Sequence, residues 1–211
     1  MNTWALSSLF SATVMAFLGM FVLMRNTKSK LNRVFMALCL VMSYWAFTEF
    51  MGRNAESVKR AEFWLTAGLI WPLAVALLLH FVRIFTGKSR SSNRGLWLLV
   101  IYVPALAVIT ANIFIPSHSV QREYWGWTQS MTGSQAEVVY LLLSYGWALV
   151  VTVSSLWMSI RYAFTARAEQ TRKMAKHVSI GLGFVVVGGV VSEVLMPLIT
   201  RQPFVELTVS S

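Results

Sequence analysis

The stretch Leu31–Gly52, LNRVFMALCLVMSYWAFTEFMG, decides the architecture. It holds one basic residue near its start, Arg33, and one acid near its end, Glu49, and the rest is almost entirely apolar or small. About 20 such residues, rising 1.5 Å each as a helix, cross about 30 Å of hydrocarbon. The stretch does not alternate with period two and is too long for a barrel strand. Five more of the same kind lie around it, at about 3–24, 63–86, 96–115, 137–160 and 177–199. The expected fold is all-α: a polytopic transmembrane bundle of six spans, forming a single domain over 1–211.

Composition agrees. Of 211 residues 56% are hydrophobic and 12% charged, with a mean hydropathy of +0.61, whereas soluble domains carry about 25% charge. A chain this poor in charge cannot clothe a water-facing surface, which excludes a soluble enzyme, a secreted module and a disordered tail. The single cysteine, Cys39, excludes an internal disulfide and a cysteine metal cluster.

The basic residues set the orientation. Arg25, Lys28, Lys30 and Arg33 flank the first connection; Arg83, Lys88, Arg90 and Arg94 the third; Arg161, Arg167, Arg172, Lys173 and Lys176 the fifth. These thirteen of the 18 Lys and Arg place the odd connections in the cytoplasm and the N-terminus outside. Met1 and Asn2 supply no basic n-region, so the first span is an inserted helix and not a signal peptide. The net charge of +10 then belongs to short loops beside anionic lipid, so membrane lipids are the expected partners and nucleic acid is not. The expected location is the cell (inner, cytoplasmic) membrane, multi-pass. Six spans that start outside finish outside, so Arg201–Ser211 is expected there, the chain being cut as a further helix begins.

Several marks recur in a definite order: Leu31-Asn32-Arg33-Val34-Phe35 leading to Trp45 and Glu49; Phe63-Trp64, Trp71-Pro72 and Phe81…Phe85-Thr86-Gly87; Arg161-Tyr162; Gln170…Arg172-Lys173, Gly181 and Leu195-Met196-Pro197-Leu198-Ile199. Over about residues 5–211 this order resembles the seven-helix N-terminal sensory domain that precedes histidine kinase or diguanylate cyclase modules in bacteria and archaea. The chain departs from that family in having six spans. The resemblance implies a seventh helix that returns to the cytoplasm and carries the output module.

Two carboxylates fall inside spans, where an ionisable group costs roughly 2.5–3.5 kcal/mol at mid-membrane and turns toward protein. Glu49 stands about 27 Å above Leu31 and Glu193 about 24 Å above His177 at helical rise, so both sit at one depth in the outer third. Arg53, at i+4 from Glu49, permits an interfacial ion pair, and Arg201 is placed to snorkel toward Glu193; alternatively the two acids line an outer-leaflet cavity. Trp45, Trp71 and Tyr145 reach the same level. Pro72 favours a kink in span three. Tyr102 and Pro104, lower in span four, read as core packing. The outer loop 116–136 is expected to cap the bundle mouth, with Tyr124, Trp125 and Trp127 either in the interfacial aromatic belt or in a lid. The candidate ligand-binding set is thus Glu49, Glu193, Trp45, Trp71, Tyr145, Trp125 and Trp127.

Gly181, Gly188 and Ser192 share one face of span six, a surface for close packing and for a possible homodimer; Ser7, Ser8, Ser11 and Thr13 in span one read as interhelical hydrogen-bonding groups. His80, His118 and His177 are scattered, and neither a His-x-x-x-His metal pattern nor a phosphate loop occurs, so no enzyme, cofactor or metal is expected of this chain. The leading reading is a signal-input domain that binds a small or amphiphilic, lipid-like molecule. The rivals are a transporter or channel component and a passive membrane anchor.

Overall fold

A computed structural model describes residues 3–88, 94–114, 118–123, 126–131 and 134–190. Helices α1 (Thr3–Arg25) and α2 (Lys30–Arg53) form an antiparallel pair. The turn between them is built from side chains: Asn26 Oδ1 accepts from the Lys28 and Ser29 amides, and Ser29 caps α2 by accepting from the Asn32 amide. Asn32 Nδ2 then donates to the Val22 carbonyl at 2.9 Å, which locks the pair at this end. Further along, Gly19 lets the helices touch: a Cβ there would lie 2.7 Å from Cys39 Cβ.

Span three is broken in two. Helix α3 (Val58–Ala67) passes through a 3-10 turn, Gly68–Ile70, into α4 (Trp71–Phe85). The expected kink at Pro72 is therefore a full change of helix type one turn earlier. Pro72 has no N–H to offer the Gly68 carbonyl, so the i→i−4 ladder cannot continue through this turn. Pro104, by contrast, lies inside an unbroken α5 (Arg94–Phe114).

Between α5 and α6 (Gln135–Thr165) the outer loop folds into a two-stranded antiparallel hairpin, β1 (His118–Glu123) and β2 (Gly126–Met131), in register from His118↔Met131 to Glu123↔Gly126. This strand pair is a local departure from the all-helical expectation. Helix α7 (Glu169–Val190) completes the described fold. Helix α6 outruns its expected end at 160, and α7 starts eight residues before 177, because a charged turn can stay helical beyond the hydrocarbon edge. The rest of the sixth expected span, 191–199, lies outside the described residues.

Helix α4 is central, packed on α2, α5 and α6; α1 adds to α2, and α7 to α6. Burial runs opposite to that of a soluble bundle. Phe10 (72%), Leu142 (70%) and Phe184 (75%) are exposed, while Ala61, Ala76, Ala105, Ala175, Ser155 and Ser159 are buried. Small residues at helix contacts with large apolar ones outside are what lipid selects, since tails solvate Phe and Leu and the helices associate by close packing. Ala5–Arg25, Lys30–Arg53, Val58–Phe85, Gly95–Asn112 and Gln135–Thr165 are each long and apolar enough to cross a bilayer. The chain is a multi-pass membrane helix bundle.

Two expectations about contacts need correction. Ser11 and Thr13 bond their own helix, to the carbonyls of Ser7 and Leu9. The link to α2 runs the other way, from Ser43 Oγ to the Ala12 carbonyl at 2.7 Å. In α7, no atom of the described residues lies within 4 Å of a Cβ built at Gly181 or Gly183. The α6–α7 seam uses Ala175, Leu182 and a Ser179–Ser159 hydroxyl bond of 2.9 Å instead. Ser192 lies outside the described residues.

Candidate functional site

At the hairpin end of the bundle, four helical segments and β2 enclose a cavity of about 360 Å³. Each wall follows from local structure. On α2, Trp45, Glu49 and Arg53 recur every four residues and form one stripe. The stripe ends in an ion pair, with Arg53 Nε and Nη2 each 3.2 Å from Glu49 Oε2. The pair foreseen as an alternative to a cavity role thus forms, and it stands on the cavity wall.

The second wall is the break in span three, which supplies Gly68, Leu69 and Trp71. Gly68 is obligatory at this spacing: a Cβ would lie 2.7 Å from Thr48 Oγ1, and Thr48 is fully buried with its hydroxyl donating to the Trp45 carbonyl. The third wall is the first three turns of α6, where Glu137, Tyr140, Leu141, Ser144 and Tyr145 follow i, i+3, i+4, i+7, i+8 spacing. Ser134 starts that helix by accepting from the Glu137 amide at 3.3 Å. Trp71 and Tyr145 stack across the two walls, ring centroids 5.7 Å apart and planes inclined by 24°.

Asn112, near the end of α5, and Trp127, Thr128 and Gln129 of β2 close the remainder. The hairpin is held by one bond and one close approach. Trp127 Nε1 donates to the Ala55 carbonyl at 2.7 Å, while Gly126, at φ +119°, lies where a Cβ would fall 2.8 Å from the Arg53 carbonyl oxygen and 3.1 Å from its Cα. Arg122 lies over the Trp127 ring at 5.7 Å.

Five residues of the expected set, Trp45, Glu49, Trp71, Trp127 and Tyr145, therefore line one cavity. Trp125 and Glu193 lie outside the described residues, and so does the expected opposition of Glu49 to Glu193. Sequence reading passed over Glu137, which is only 3% exposed and lines the cavity; it had served merely as the outer edge of span five. The signal was there in Ser134-x-x-Glu137, a helix-start pattern that places the acid one turn inside. Asn112, also buried, and Gln129 were missed because one belonged to a span's end and the other to a loop. Among the described residues no cluster of His, Cys, Asp or Glu is arranged to hold a metal ion.

Residues 7–208 match the family described as the N-terminal 7TM region of histidine kinase. The chain belongs to that family. No curated protein and no solved structure matches it significantly. As a histidine kinase 7TM region it is a sensory membrane domain, and not the catalytic part of such a kinase.

Proposed function

We propose that this 7TM region is the ligand-sensing input of a histidine kinase in the inner membrane, and that a small or lipid-like molecule enters the cavity from the extracytoplasmic side. The observation that supports it most is convergence: α2, the broken span three, α5, α6 and the hairpin all present side chains to one polar-edged space. An occupant there touches the packing of α2, α4 and α6 together. Signalling requires that it bind one helix arrangement better than another; tenfold is about 1.4 kcal/mol of bias. The change would pass to a cytoplasmic output module, in a homodimer or otherwise, through a seventh helix. Outward access follows from the charge bias of the connections.

A transport path finds less support. The polar groups deeper in the bundle are engaged between helices: Ser43 with Ala12, His80 with Tyr102 at 2.8 Å, and Ser159 with Ser179.

In the intact kinase, Trp71→Ala and Glu49→Gln are expected to change the signal dependence of autophosphorylation by fivefold or more, at normal membrane levels. Removing Trp71 takes away the ring stacked on Tyr145, a contact worth about 0.5–1.5 kcal/mol beyond area. Unaltered response in both variants would reject the cavity as the input site.

A further inference from the structure

Resting on the reading above, we infer that the cavity takes an organic cation, a substituted ammonium group on a small apolar body. The aromatic walls and one half-used carboxylate carry this. Trp45, Trp71, Trp127, Tyr140 and Tyr145 all line the space. The face of such a ring is the negative end of its quadrupole, and a space walled by several rings attracts an alkylated ammonium. Trp127 already takes a cation in this way, with the Arg122 guanidinium over its ring at 5.7 Å. Glu49 supplies the counter-charge. Arg53 Nε and Nη2 both bind Glu49 Oε2, so Oε1 has no partner among the described residues. The Glu49 side chain is 32% exposed and lines the cavity.

Other charge classes fit less well. The chain has 18 Lys and Arg against eight acids, yet the described lining inverts that balance, with Glu49 and Glu137 beside the single base Arg53. Glu137 is buried and already engaged, which leaves Glu49 as the acid with an oxygen to offer. An anion would meet ring faces and carboxylates, while the one guanidinium is taken up by Glu49. A neutral guest would gain the ring contacts without Coulombic attraction, and would still strip water from Oε1. Among the described residues no group of His, Cys, Asp or Glu is arranged for a metal ion, which also holds its water more tightly than an alkylated ammonium does. The volume of about 360 Å³ lies at the small end of the roughly 300–1,000 Å³ of ligand pockets and suits a head group with one ring. Such a group arrives either on a free cation or as the headgroup of a lipid; the ammonium chemistry is the same.

The test uses the full chain in phosphatidylglycerol nanodiscs and three probes of one shape: (3-hydroxyphenyl)trimethylammonium, 3-tert-butylphenol and 3-hydroxybenzenesulfonate. Their tetrahedral heads are positive, neutral and negative in turn. Binding is measured by titration calorimetry against empty nanodiscs, which removes partition into lipid. The expected result is that the ammonium binds at least tenfold more tightly than either of the others. Glu49→Gln should cut that preference at least fivefold, whereas Arg53→Gln, which frees the carboxylate, should raise it at least twofold. A merely structural pair would weaken ammonium binding in both variants, and that result would overturn the proposal. Adding phosphatidylcholine to the nanodiscs separates the two sources: weakened probe binding identifies a lipid headgroup as the occupant, unchanged binding a free cation, and either agrees with the proposal. Equal binding of the three probes, or preference for the phenol or the sulfonate, would overturn the chemical class; loss of that binding in Trp71→Ala would still keep the cavity as the site. Absence of binding by every probe would overturn the class, and the kinase response of Trp71→Ala and Glu49→Gln would separately decide the site.

Discussion

Gly126→Val is expected to release the hairpin from the end of α2. The residue sits at φ +119°, where side chains are strained, and its missing Cβ faces the backbone of Arg53 at 2.8–3.1 Å. Backbone cannot step aside as a rotamer can. The strain term is of order 1–3 kcal/mol and the clash adds to it, so a loss of about 2 kcal/mol or more in hairpin docking is expected. Amide exchange across 118–131 should then accelerate by roughly thirtyfold, since 1.4 kcal/mol is a factor of ten. The amides at the Phe85 end of α4, remote from the hairpin, should keep their rates. Unchanged exchange in the hairpin would show that the close approach to Arg53 does not hold it.

The second large effect belongs to Gly68→Ala. Its new methyl would meet Thr48 Oγ1 at 2.7 Å, on a β-branched side chain that is fully buried and already bonded to the Trp45 carbonyl. Overpacking of this kind costs about 1–3 kcal/mol, and here it also pushes α2 away from the break that forms the cavity wall. Thr48→Ala removes the obstructing oxygen, so the double variant Gly68→Ala/Thr48→Ala should be more stable than the sum of the single changes allows. A coupling of about 1 kcal/mol or more is expected from thermal melts in detergent micelles. Strict additivity would mean that the two residues do not meet.

These two glycines show where a sequence stops being readable. Helical rise fixes depth, so Trp45, Glu49, Trp71 and Tyr145 could be assigned one level from residue counts alone, and the structure stacks Trp71 on Tyr145. Rise says nothing of azimuth or of which helices are neighbours. Gly181 on α7 was therefore expected to make a close contact, although Ala175, Ser179 and Leu182 face α6, while the tight glycines Gly19, Gly52 and Gly68 drew no notice. Gly52 has Leu65 Cδ2 at 2.9 Å from its Cβ position. Pro72 announced a distortion, but its form depends on Gly68 lying against Thr48. The hairpin was hidden for another reason. Its strands HSVQRE and GWTQSM lack a clean apolar alternation, and their anchors, Ala55 and the Arg53 backbone, lie some seventy residues earlier in the chain.

The central claim is that occupancy of the cavity sets the output of the kinase, and it can be tested without knowing the natural ligand. The cysteine of this region, Cys39, is buried between α1 and α2, so Cys39→Ala leaves the 7TM region without a thiol. Into it goes Thr128→Cys, on the β2 wall of the cavity. The intact kinase, in sealed right-side-out vesicles, is treated with a membrane-impermeant thiol reagent, and autophosphorylation is compared before and after labelling. The expected result is labelling of the 7TM region from the outer face and a shift of at least threefold in phosphorylation, in the Thr128→Cys protein and not in its Cys39→Ala parent. Complete labelling with unchanged phosphorylation would contradict the account.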